Sequence, residues 1–128
     1  MAKLNLRPEV AEGRFFFGIF PESQLMGIAG YLPYFAAIVR ENEGITAVFE
    51  EAAKEPLTAY TEKKFQGPFA LITLSAATDL HAVGITAAVS SALAKEKIPA
   101  NAFAGYYHDH LLVPYSSKEK AAKILSAL

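Results

Sequence analysis

One order of elements (strand, connection, two-strand hairpin, helix) occurs twice along the chain, and this repetition restricts the fold more than any single motif. In the second half, residues 69–76 read as a strand with Ile72 and Leu74 on its inner face. A helix follows through about residue 97, with Ile85, Val89 and Leu93 at four-residue spacing as its buried stripe. Strands at 101–107 and 111–114 then meet near His108-Asp109-His110. The last helix opens with Ser116 as N-cap and Glu119 three residues on, a capping box, and its stripe is Ala121, Ile124, Leu125 and Leu128. The first half repeats the plan in weaker form. Residues 14–20, 35–40 and 45–50 are strands, but the segment between the first two holds prolines and glycines and allows one helical turn, around 24–28. Gly44, late in the loop Glu41-Asn42-Glu43-Gly44, suits a tight hairpin that needs positive φ. The charged run Tyr60-Thr61-Glu62-Lys63-Lys64 is the natural joint, so the halves are expected at 1–64 and 65–128. Antiparallel hairpins and two helical positions per half predict an α+β fold with helices on one face of each sheet.

Composition narrows the functional classes. With 52% hydrophobic and 20% charged residues the chain is no disordered tail. A net charge of −1 leaves no basic footprint for nucleic acid. The run 82–94, which has no ionisable group, is too short and too hydroxylated to span a bilayer. The absence of cysteine removes disulfides, thiol catalysis and thiolate metal sites. Met1-Ala2-Lys3-Leu4 lacks the apolar core of a signal peptide, so a cytoplasmic location is expected.

Few motifs carry chemistry. His108 and His110, two apart on a strand, would share one side and could share a metal. Only His81 remains as a further imidazole, and a stable site needs three or four ligands, so no metal is expected. Ser75, Ser90 and Ser91 lack a nucleophile elbow, and Gly27-x-x-Gly30 lacks the lysine of a phosphate loop. The segment from Thr78 to Ile85 is different. It joins a buried strand directly to a helix whose first N–H groups are unpaired and electropositive, a ready seat for a carboxylate. Gly84 removes a side chain there, and Asp79 offers a negative group for an ammonium. Asp79 serving only as helix N-cap is the plainer alternative.

The strand, Asp79-Leu80-x-x-Val83-Gly84, helix segment followed by Ile98-Pro99-Ala100-Asn101 resembles the signature of ACT domains. The strings EGIT at 43–46, ITL at 72–74, AVGITAA at 82–88 and AGYYHDHLLVP at 104–114 resemble, more closely, a largely bacterial family of small stand-alone ACT-like proteins. The resemblance implies two tandem ACT-like halves, each a ferredoxin-like β-α-β-β-α-β unit. It further implies a regulatory or sensor module that binds an amino acid or similar metabolite, without cofactor or catalysis of its own. A homodimer is expected, because ACT-like sheets have open edges. The site it implies comprises Thr78, Asp79, Leu80, His81, Val83, Gly84 and Ile85, with Asn101 at the start of the adjacent strand. The chain departs from the family at this loop, with Ala77 and His81 where members carry histidine and glutamate. A ligand-free interaction protein, and more distantly a small metal-dependent enzyme on His108, Asp109, His110 and His81, are the alternatives.

Overall fold

The computed structural model describes residues 3–76, 81 and 83–128. Its contacts divide the chain into two compact units, Gly13–Pro68 and a unit formed by Met1–Glu12 with Phe69–Leu128. This division differs from an expected break at 64/65 in two respects: the units part at 68/69, and the first twelve residues pack with the far half of the chain.

In the unit 13–68, the strands are β2 (Phe15–Phe20), β3 (Phe35–Glu41) and β4 (Gly44–Glu50), following β1 (Pro8–Val10) of the other unit. They are antiparallel in the order β3-β4-β2, with Phe20 opposite Ile45 and Glu41 opposite Gly44. The hairpin β3–β4 turns through Asn42 and Glu43, and Gly44 adopts φ 145° against the Phe20 carbonyl, where a Cβ would collide. The short helices α1 (Leu25–Ala29) and α2 (Lys54–Leu57) are extended by 3-10 turns at Glu22–Gln24, Glu51–Ala53 and Thr58–Tyr60. The single helical turn expected at 24–28 is therefore α1, and the helical segment that the repeated plan expects after the hairpin, at 51–54, runs on to Tyr60. Alternation in β2 sends Phe16 and Phe20 to the core with Ile45, Ala47, Phe49, Ile28 and Leu57. Phe49 lies at its centre, edge-on to Phe65 at 5.0 Å and stacked with Phe16 at 6.3 Å. On the other face of β2, Phe15 is buried while Phe17 and Ile19 are half-buried.

The second unit is more regular. Its elements are β5 (Gln66–Leu74), α3 (Ile85–Lys95), β6 (Asn101–Ala104), β7 (Asp109–Pro114) and α4 (Lys118–Ser126). Taken from Phe69, these supply β-α-β-β-α, and the fourth strand comes from the beginning of the chain. β1 pairs antiparallel with β5, Pro8 opposite Leu74 and Val10 opposite Ile72, giving the order β1-β5-β7-β6. The segment is tied down on both sides. Leu4 N–H donates to the Leu128 carbonyl, and Leu6 is 3% exposed in the core. Arg7 O accepts from both Ser75 N–H and Ser75 Oγ. Each unit is thus an ACT-like, ferredoxin-like arrangement of antiparallel strands with helices on one face.

The helical stripes fall as their spacing requires. Val89 and Leu93 of α3 and Ala121 and Leu125 of α4 are buried over Ala70, Ile72, Leu74, Leu111 and Val113, with Ile85, Ile124 and Leu128 packed at the edge. Two local expectations are corrected. No capping box forms at Ser116: Tyr115–Ser117 is a 3-10 turn in which Lys118 N–H donates to the Tyr115 carbonyl, and α4 starts after Ser117 without a side-chain cap. An i→i+3 turn already satisfies the donors a cap would serve. The strand expected to reach residue 107 stops at Ala104, because Gly105 N–H donates to the His108 carbonyl at 2.8 Å and closes the turn.

Candidate functional site

The start of α3 is the site the sequence singles out. Gly84 is its N-cap, in the left-handed region at φ 92°, and brings no side chain to the first turn. A Cβ built on Gly84 would meet nothing within 4 Å, and the Ala88 N–H donates to its carbonyl as the first helical bond at 3.0 Å. The N–H groups of the first turn are therefore not served by the capping residue, at the electropositive end of an 11-residue helix. Val83 is 95% exposed and His81 is exposed beside it. Thr78, Asp79 and Leu80 lie outside the described residues.

Beneath this helix start is a half-open cavity of 160 Å³ lined by Leu74, Ile85, Thr86, Val89, Ala102, Phe103, Ala104, Asp109 and Leu111. Its origin can be read from register. Ala102 pairs with Leu111 and Ala104 with Asp109, so these four share the helix-facing side of the sheet. β6 is the edge strand, and its two alanines reach too little toward α3 to fill the space. The arrangement brings Ile85 to the cavity, with Gly84 next before it in the chain, but leaves Asn101 apart. Asn101 pairs with Leu112 and is exposed on the opposite face of the sheet. Asp109 is the residue that sequence reasoning missed, since only the long-range pairing of β6 with β7 brings it under the helix.

The His108-Asp109-His110 string is split by the same alternation. Asp109 faces the cavity, whereas His110 turns to the other face, stacks on Phe103 at 5.0 Å and hydrogen-bonds through Nδ1 with Thr73 Oγ1 at 2.9 Å. His108 sits in the turn, and its buried Nδ1 has no hydrogen-bond partner among the described residues. Among the described residues no three histidine or acidic side chains gather as metal ligands. Burial holds the His110 imidazole below the usual histidine range, and the nearby His108 adds to this while Asp109 opposes it. The unfolded chain therefore binds that proton more readily than the folded one. The His110 contribution is intact above about pH 6.5 and is lost as pH falls from there through the lowered folded value. Thermal melts of wild type and His110→Asn between pH 7.5 and 5 should show a steeper acid decline for wild type; parallel curves would contradict this.

In the unit 13–68, a wider hollow of 670 Å³ is lined by residues that include Gln24, Glu43, Tyr60, Thr61 and Lys63. The Thr61 hydroxyl there already donates to the Ile19 carbonyl at 2.7 Å. The hollow combines charges of both signs, from Glu43, Glu62 and Lys63, with apolar lining from Ile19, Phe20 and Pro21.

Among the described residues no helix is long and apolar enough to cross a membrane. The ACT domain family model matches residues 65–127. No curated protein matches the sequence. Among solved structures, a Vibrio cholerae protein of unknown function, described as a possible transport protein, is 33% identical; the match covers 96% of this chain and 89% of that one, with a TM-score of 0.76. An Agrobacterium tumefaciens protein is 18% identical over 93% of this chain and 85% of its own, with a TM-score of 0.72. The regulatory subunit of aspartate kinase from Thermus thermophilus, in ligand-free form, shares the fold at 11% identity, covering 94% and 95% with a TM-score of 0.71. The repeated units, the family match across the second half of the chain and the likeness to the Vibrio protein over nearly all of it agree: this chain belongs to the ACT-domain family.

Proposed function

We propose that the chain is a regulatory or sensor module that binds a free amino acid or similar small metabolite at the start of α3, without catalysis of its own. The observation that carries this reading is the conjunction of an N-cap that offers no side-chain hydrogen bond to the first turn and a cavity beneath that turn. The α-carboxylate sits on the N–H groups of Val83, Gly84 and Ile85, where the helix dipole favours negative charge. The ammonium goes to a carboxylate by a charge-assisted hydrogen bond, with Asp79 and Asp109 as its two candidates. Thr78, Leu80 and His81 flank the ligand from the preceding loop. Asn101, on the opposite sheet face, is the weakest member of the proposed set. The likeness to aspartate kinase regulatory subunits supports a regulatory role at the level of fold. We further propose that the chain works in the cytoplasm as a homodimer.

Thermal melts against the twenty amino acids test the reading, since a ligand at a hundredfold excess over its Kd stabilises the native state by about 2.7 kcal/mol. The expected result is a rise in Tm with one or a few amino acids. Asp79→Ala or Asp109→Asn should weaken that ligand tenfold or more, by removing one partner of a charged contact. No rise with any amino acid would favour a ligand-free interaction protein instead.

A further inference from the structure

We infer that the cavity under α3 takes the side chain of the bound amino acid and selects an apolar one of about leucine to phenylalanine size. This rests on the amino-acid reading above and adds the ligand's class. The lining decides the chemistry. Seven of its nine residues, among them Leu74, Ile85, Val89 and Leu111, are apolar, and Thr86 and Asp109 are the two with polar side chains. A water in such a space finds too few partners, so an apolar group replaces it at little cost. The volume sets the scale. At 160 Å³ the half-open hollow has room for a group of about the size that enclosed apolar cavities of about 150 Å³ take up, such as benzene. A lysine or glutamate side chain would have to bury its charge among these hydrocarbons, and an acidic one would also meet Asp109.

The boundary residues explain why the space stays open. Val89 and Leu93 hold α3 against β5 and β7, while the helix-facing positions of the edge strand β6 are both alanine. Selectivity is therefore set at Ala102 and Ala104, which touch neither the carboxylate nor the ammonium of the ligand. Enlarging either should change which amino acid fits without removing the site that holds its common α-carbon groups.

Calorimetric titration of the full chain with alanine, leucine, phenylalanine, serine, lysine and glutamate tests the assignment, using wild type, Ala104→Leu and the milder Ala104→Val. For wild type, leucine or phenylalanine should bind at least tenfold more tightly than serine, lysine or glutamate. Ala104→Leu should lose that preference at least tenfold while alanine binding stays within a factor of about two. Should Ala104→Leu fail to fold, Ala104→Val reads the same change at smaller amplitude. Tight binding of a polar or charged amino acid, indifferent to both substitutions, would overturn the apolar assignment and leave the amino-acid reading standing. Absence of binding by all six, with no thermal shift from the other fourteen, would overturn both.

Discussion

Deleting residues 1–10 should unfold the unit that contains residues 69–128, although none of the deleted residues lies near it in sequence. β1 is the fourth strand of that unit, paired with β5 from Leu74 to Ile72. Removing it exposes the β5 edge, leaves Ser75 and Ala76 without the Arg7 and Leu6 carbonyls they donate to, and empties the place of Leu6. Burying one leucine is worth about 1.5–3 kcal/mol, and each lost backbone bond about 1 kcal/mol more. A total of roughly 5 kcal/mol or more is comparable with the whole stability of a small domain. The converse is also expected. A permuted polypeptide running from residue 69 to 128 and then, through a short linker, into residues 3–12 should fold alone, because Leu4 already hydrogen-bonds to Leu128. Residues 69–128 without that addition should not. Circular dichroism with urea titration distinguishes them: a cooperative transition for the permuted polypeptide and none for the bare segment. Equal behaviour of the two would remove β1 from its structural role.

Phe49→Ala should be the most damaging single substitution in the unit 13–68. Phe49 is fully buried and touches the rings of Phe16, Phe20, Phe35 and Phe65. Truncation removes its burial and leaves a cavity that these rigid rings cannot close, at a cost of about 3–5 kcal/mol. Urea denaturation should show the midpoint falling by that equivalent with little change in slope. By comparison Val39→Ala, exposed on the edge strand β3, should move it by less than about 0.5 kcal/mol. Similar losses at both positions would mean the aromatic cluster is not the core of this unit.

The sequence was most legible where local pattern and burial agree. The stripe Val89, Leu93 and the stripe Ala121, Leu125 are buried where helical spacing puts them, and Phe16 and Phe20 face the core by strand alternation. Gly44 marked a hairpin for the reason its φ of 145° shows. β1 was not legible: it is three residues, begins with proline and carries a glutamate, and becomes a strand only because β5 offers it an edge. The candidate site divides along the same line. Gly84 and Ile85 follow from the local strand-to-helix junction. Asp109 does not, since its place under α3 depends on β7 pairing with both β5 and β6. Asn101, one residue out of phase with Ala102, lies on the sheet face opposite that cavity for the same reason.

The account's central claim is that a free amino acid is held at the start of α3. Its most direct test is the chemical-shift response of backbone amides when the full-length protein is titrated with leucine or phenylalanine. The predicted result is saturable movement of the amides of Gly84, Ile85 and Thr86, together with those of Ala104 and Asp109, while amides of β3 and β4 stay still. Saturable movement confined to residues 13–68, or none in any residue with any of the twenty amino acids, would contradict it.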